Sequence, residues 1–373
     1  MKNNFNVLLT CMGGYGALNL LEDFMKSELS KRINFIGSHS DPIYISRSPL
    51  KNNYLVPSAL DSSDAYIEST KKIIQNENID LIIPKSDAEV KSLYSVRNEL
   101  GCSTFLPDII EIQNTQDKFD FYNILRESDV PVPVTYQINN IDYINDIIEK
   151  LPNVKQKYWI RIKTAGTAGA YGATWIDNAD SAKDWIKNFS DKNLTKLSDF
   201  TLSEYLPGRL FECLLLYKNG ILKLAKIYEN LRFANGSDPL DNGVGSTPDF
   251  AKSISDDVSK RALKNAISAI DFTTKKLDTS PNGIYHMSAK ENLRGEPCIT
   301  EVNIGRTPST ISIFNRIGKY NVAEYFLNYA LNLNINDPDE IFDIPEETSY
   351  AIRSLDVPLQ IISSRKFKSV IKL

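Results

Sequence analysis

The chain has 373 residues, 42% of them hydrophobic and 24% charged, with a net charge of −4 and a pI near 5.5. That length predicts two to three domains with ample core, and the acidic balance gives no global electrostatic reason to bind nucleic acid or an anionic membrane. Four widely spaced cysteines (Cys11, Cys102, Cys213, Cys298) and only two histidines (His39, His286) argue against a paired-cysteine or multi-histidine metal site. No apolar run approaches the ~20 residues of a membrane span. The run before Cys11, Val7 to Leu9, is short of the ~7–15 apolar residues of an export signal. Reduced thiols in the cytoplasm are the expectation.

The first pieces alternate strand and helix. Residues 5–10 are a short apolar run followed at once by Gly13-Gly14-Tyr15-Gly16, and 17–29 carry helical spacing through Leu20, Leu21, Phe24, Met25 and Leu29. Strand, glycine turn and helix open a Rossmann-like unit. The spacing is not the dinucleotide fingerprint, so the glycines read as a tight turn that lets the helix pack on the sheet. Residues 34–38 and 54–57 predict extended pieces, 64–77 a helix, and 80–84 a strand buried in a parallel sheet. Asp87 is expected to cap the next helix, through Val90, Leu93, Tyr94 and Val96. Residues 1–113 thus read as an open α/β domain.

Asp117-Lys118 opens a helix with Phe119, Phe121, Tyr122 and Leu125, Val130-Pro131-Val132-Pro133 forces extended backbone, and 140–151 read as a further helix. Residues 158–163 predict a strand that puts Arg161 and Lys163 on one face. The strand enters a loop in which Gly166, Gly169 and Gly172 let the backbone fold around a phosphate and present N–H groups. A flexible surface loop is the plain alternative; the two cations entering it favour a phosphate lid. Residues 174–176 complete the hairpin. A strand over 201–206 ends at Pro207-Gly208, and 211–217 with 222–228 predict a hairpin around Asn219-Gly220. Arg232 introduces a Gly/Asn/Asp-rich loop over 235–247, of a kind that is usually functional or disordered. Residues 256–277 read as a helix and 283–290 as a strand.

Residues 297–302 predict a strand, paired with 283–290, on which Glu301 and Asn303 project to one face. A carboxylate beside an amide oxygen suits Mg²⁺, which takes a few carboxylates plus phosphate oxygens. Arg306 follows where it can meet the anion the metal holds. A strand end with solvated polar residues is the other reading of that pattern alone. The tail, 334–373, is Asp/Pro-rich, then apolar over 357–362, then basic over 365–372, and reads as an extension with a solvated edge.

In their order, these pieces resemble the ATP-grasp superfamily, in particular proteins similar to the large subunit of carbamoyl phosphate synthetase and to biotin carboxylase. The resemblance covers the chain to about residue 333 and lies in the sequence of motifs: glycine-turned α/β domain, Asp-Lys helix, cation strand with glycine loop, Glu-Tyr-Leu-x-Gly hinge, then Glu-x-Asn-x-x-Arg. It implies a Rossmann-like domain (1–113), an ATP-grasp domain (114–333, with a mobile lid subdomain over about 120–200 and a metal-binding part over 201–333) and a C-terminal extension. It implies ATP and Mg²⁺ as cofactors, with Mn²⁺ as the substitute ion. Lys118 and Arg161, with Lys163 nearby, would grip phosphates; Gly166, Gly169 and Gly172 would form the closing loop. Glu204 and Leu206 fall where the hinge reads adenine. Glu301 and Asn303 match the metal-bridging acid and amide, and Arg306 the arginine beside the transferred phosphoryl group.

Three departures stand out. Leu210 replaces the acid expected on ribose, with Glu212 close but out of step. His286 falls at the place of a second metal-binding carboxylate or amide, although a lone strand histidine is more often a hydrogen-bonded core residue. Asn-Ile-Gly-Arg stands where many members read Asn-Pro-Arg. The implied activity is ATP-dependent ligation of a small carboxylate to an amine, or less readily a thiol, through an acyl phosphate, with Arg232 and the 235–247 loop as the guess for substrate recognition. A kinase-like enzyme releasing a phosphorylated product and a non-catalytic nucleotide-binding protein stay open, as does the choice between monomer and homodimer.

Overall fold

A computed structural model describes residues 4–163, 172–193, 195–234, 245, 247–354, 360–363 and 365. Its first sheet is parallel, with Phe5–Leu9 between Ile33–His39 and Leu81–Ile83, and Asn52–Leu55 at one edge. Helices Tyr15–Met25, Ser63–Glu77 and Asp87–Ser95 flank it. A central parallel strand is covered on both faces, and Val7, Leu8 and Leu9 are fully buried accordingly. The glycine turn is a steric requirement: Gly13 has φ +90°, and a Cβ there would sit 1.7 Å from the Tyr44 carbonyl oxygen. The first helix stops at Met25, short of the predicted end, and Leu29 falls in the separate 3₁₀ turn Glu28–Arg32. The cap of the Asp87–Ser95 helix is Ser86, in a capping box with Glu89, and not Asp87.

The second sheet orders Thr135–Gln137, Phe200–Glu204, Tyr158–Ile162 and Ala173–Ile176. Helices Ile144–Lys150 and Ala179–Asn193 complete this unit, and Ile144, Ile160, Ala182, Ile186 and Leu202 form a core of its own. Gly172 closes the hairpin at φ +69°, where a Cβ would come within 2.8 Å of Ile162.

The third sheet has seven strands, ordered Pro297–Ile304, Gly283–Glu291, Leu210–Lys218, Ile221–Phe233, Pro248–Ser253, Ser349–Ile352 and Gln360–Ser363. The tail therefore contributes two strands to it. One face (Phe211, Cys213, Leu215, Met287) packs with Ala262, Ala266 and Ile270 of helix Asp257–Lys276 in a core that also reaches the first sheet. The opposite face is apolar at one end, where Leu214, Leu216, Leu224 and Ile284 share a cluster with Ile311 and Phe314 of helix Ile311–Arg316 and with Phe326 and Leu327 of helix Val322–Ala330. Its other end is polar. Register places Glu301, Ser288, Glu212 and Tyr228 opposite one another across four strands, with Asn303 and His286 paired in the next row. That half-polar face is where the candidate site lies.

Candidate active site

The structure brings Glu301, Arg161 and Lys118 together from three elements. Arg161 projects from the second sheet and donates from Nη2 to Glu301 Oε2 at 3.0 Å; Lys118 Nζ, from the first turn of helix Lys118–Leu125, lies 3.7 Å from the same oxygen. Asp117 caps that helix, and the Lys118 amide donates to the Lys163 carbonyl at 2.9 Å, pinning the helix start to the end of the Arg161 strand. Burial pushes the Glu301 carboxyl up, but Lys118 and Arg161 outweigh it and hold it down at about 2. The same burial, with the Arg161 charge, lowers Lys118 to about 8. Lys163 lies apart from this trio, its Nζ 3.4 Å from Asp117.

Asn303 and Arg306 form the second half. Gly305 adopts φ +73°, a conformation that turns the chain back, and Arg306 Nη2 donates to Asn303 Oδ1 at 2.5 Å. The extra glycine thus returns the arginine to the metal-type pair. Asp87, from the first domain, accepts from Arg306 Nε at 2.7 Å. Asp87 lies just past the C-terminal end of a parallel strand, where such folds gather ligands, a placement that suits a cap and a site equally in the sequence alone.

Register pairs His286 with Asn303, one of the two expected metal-binding residues, and puts Ser288 opposite Glu301. His286 Nδ1 lies 3.3 Å from Asn303 Nδ2, and Nε2 lies 3.0 Å from Glu212 Oε2 without aligning as a hydrogen bond. Both ring nitrogens therefore face protein groups. Glu212 also accepts from Ser288 Oγ at 2.8 Å and sits in the row of Glu301, two strands away. Glu204 is tied to Val134, accepting from its amide at 2.8 Å, and shares no hydrogen bond with Glu212. Leu206 is buried just after the second sheet ends. Arg232 does not join the cluster: it is half-exposed and bidentate to Asp249 at 2.9 Å. Gly166, Gly169 and most of the 235–247 loop lie outside the described residues.

Among the described residues, no group of three or more His, Cys, Asp or Glu is arranged to hold a metal, and no helix is long and apolar enough to cross a membrane. The donors present are hard oxygens: the Glu301 carboxylate and Asn303 Oδ1, with the Glu212 carboxylate in the same row. That set fits Mg²⁺ completed by phosphate oxygens, and lacks the nitrogen and sulfur ligands of a zinc site.

No family model and no curated protein matches the sequence. Solved structures do match. The biotin carboxylase domain of 2-oxoglutarate carboxylase from Hydrogenobacter thermophilus aligns with a TM-score of 0.71 at 12% identity, over 94% of this chain and 74% of that one. Carboxyaminoimidazole ribonucleotide synthase from Aspergillus clavatus, complexed with ATP, aligns with a TM-score of 0.67 at 13% identity, over 94% and 82%. L-amino acid ligase from Bacillus licheniformis aligns with a TM-score of 0.66 at 12% identity, over 94% and 80%. All three are ATP-grasp enzymes. This chain has the ATP-grasp fold. At these identities the likeness defines the fold alone, and the chemistry has to be argued from the site.

Proposed function

We propose that the protein is an ATP-dependent ligase that joins a small carboxylic acid to an amine through an acyl phosphate, releasing ADP and phosphate. The observation that carries this reading is the convergence of Arg161 and Lys118 on Glu301, beside Asn303 and Arg306. Three cations and two oxygen donors in one cleft match what phosphoryl transfer requires, which is positioning and charge neutralisation. Arg161 would turn to the α- and β-phosphates, and Lys118 would hold remaining phosphate charge. Glu301 and Asn303 would hold Mg²⁺, with Glu212 the next carboxylate in the row, and the ion when bound neutralises phosphate charge.

The γ-phosphorus then passes from the β–γ bridging oxygen to a carboxylate oxygen of the acid, and ADP leaves. The amine nitrogen attacks the acyl carbon, phosphate departs with its oxygen, and the nitrogen gives up a proton to leave the amide. Arg306, oriented by Asp87, would steady the charge on the transferring phosphoryl group and then on the tetrahedral adduct. The second sheet, with its separate core, would act as the lid that excludes water from the acyl phosphate. Glu204 and Leu206 would contact adenine, and the domain limits expected above go with this reading. The ATP, MgADP and bicarbonate bound in the matched structures support it by analogy. Free thiols suit a reducing compartment and support a cytoplasmic location.

A non-catalytic protein is favoured by Ser288 standing opposite Glu301; Glu212, reaching into the same row, favours the ligase. The test is ADP release with MgATP across a panel of carboxylic acids, with and without amines. Amine-dependent ADP release that Glu301→Ala abolishes is expected; full turnover by that variant, or ATP binding with no turnover for any pair, would overturn the proposal.

A further inference from the structure

Beyond the Glu301 pair, the polar row continues into a buried patch to which nothing above gives a role. Tyr228, Asn230 and Thr310 are buried; the Tyr228 phenol has only the Thr310 hydroxyl to interact with, out of hydrogen-bond alignment, and both amide atoms of Asn230 have no hydrogen-bond partner. Tyr228 and Asn230 share one face of the Ile221–Phe233 strand, two residues apart in an unbroken stretch of register. Thr310 precedes helix Ile311–Arg316 without capping it. A buried asparagine with both amide atoms unpartnered is unusual, because a buried polar atom without a partner carries the cost of its lost hydration.

One cation stands at this patch. Arg353 follows the Ser349–Ile352 strand, and its backbone amide is fixed to the Asp249 carbonyl at 2.9 Å. Its guanidinium lies 5.6 Å from the Tyr15 ring centroid, with Nη1 3.5 Å from the Ser309 carbonyl; the Tyr228 and Tyr15 phenols act on it, and the Asp249 charge does so without forming an ion pair. Among the described residues no carboxylate pairs with it: Asp249 is held bidentately by Arg232, and Glu212 faces His286 and Ser288. Arg161, Lys118 and Arg306, by contrast, all have carboxylate partners.

We propose that this patch binds the non-reacting end of the acid substrate, and that this end carries a second anionic group, a carboxylate or a phosphate, held by Arg353 with Asn230, Tyr228 and Thr310 as neutral partners. The inference rests on the ligase reading for the identity of the bound molecule. Three strand spacings separate Glu301 from Tyr228, roughly 14 Å at ~4.8 Å each, and the strand that Arg353 follows lies two further along the sheet. An acid that reaches from the phosphoryl donor to this patch is therefore an extended molecule with its two anionic groups at opposite ends. A fork-shaped guanidinium suits either oxyanion.

The test uses the full chain saturated with Mg²⁺ and a non-hydrolysable ATP analogue, so that the ATP-phosphate cations are occupied. Phosphate, succinate and acetate are titrated while the Arg353 Nε–Hε resonance of ¹⁵N-arginine-labelled protein is followed, assigned by its absence in Arg353→Lys. Saturable movement with phosphate or with succinate, and weaker response to acetate, is expected; whichever saturates first identifies the group. Arg353→Met and Asn230→Ala should weaken that binding about 10-fold or more while nucleotide affinity stays within about 2-fold. A resonance that no anion moves, or acetate as effective as succinate, would overturn the inference, and the wild-type titration decides if a variant fails to fold. Failure of the analogue to bind would instead refute the ligase reading; the anion arm, repeated in Arg161→Met without nucleotide, would still decide the site.

Discussion

Replacing Glu301 by glutamine gives a prediction whose sign is unusual. The carboxylate is held from about 4.5 down to about 2 by Lys118 and Arg161, a shift worth about 3 kcal/mol at ~1.36 kcal/mol per unit. The side chain is 31% exposed, so solvent screening reduces the usable part to about 1–2 kcal/mol. A triphosphate binding without metal must pull both cations away from that carboxylate. In Glu301→Gln this opposition is gone, and metal-free ATP should bind about 10-fold more tightly than to the wild type. The gain from adding Mg²⁺ should disappear, because the main oxygen donor has been lost. Fluorescence titration with an N-methylanthraniloyl nucleotide, in EDTA and in Mg²⁺, reads both quantities. Weaker metal-free binding by the variant, or an undiminished response to Mg²⁺, would refute the reasoning.

Asp87→Asn should lower kcat by about 10- to 100-fold with little change in the KM for ATP, since it loosens Arg306 without touching the phosphate cations; steady-state ADP release measures this. Gly13→Ala should destabilise the fold by about 3 kcal/mol or more, combining a positive φ with a backbone clash, and thermal melting reads the loss. Lys85 donates only to oxygens of Thr307 and Pro308 and is lowered to about 7 by burial, helped by the Arg306 charge. Between about pH 7 and its ordinary value near 10.5 the unfolded chain therefore holds a proton that the native state has released. Stability should rise with pH through that window, by a few kcal/mol at most, and level off below about pH 7. Urea midpoints should show this slope in the wild type and a shallower one in Lys85→Met, where the buried Lys118 amine, lowered to about 8, still contributes.

What could be read from the sequence was what depends on local pattern. The period of two put Glu301 beside Asn303 and Arg161 on a lid-type strand, and the Asp-Lys pair marked the helix start that delivers Lys118. Contacts set by register could not be read that way. His286 meets Asn303 and Ser288 meets Glu301 in a register that shifts by one residue between Ser288 and Ala289, which no local pattern reveals. Glu212 shares a row with Glu301 because the order of strands in the sheet differs from their order in the chain. Arg353 reaches the patch because the tail supplies two edge strands, which its mixed Asp/Pro, apolar and basic composition did not announce. One signal was available: the strands carrying Glu212, Tyr228-x-Asn230, His286-x-Ser288 and Glu301-x-Asn303 each place polar residues where apolar ones would be expected on a buried face.

Transfer of the terminal phosphoryl group to the acid is tested most directly by following oxygen. With the carboxylate substrate labelled with ¹⁸O, turnover through an acyl phosphate moves one labelled oxygen into the released phosphate, visible as an isotope-shifted line in ³¹P NMR. Unlabelled phosphate at full turnover, or AMP and pyrophosphate in place of ADP, would contradict the assignment.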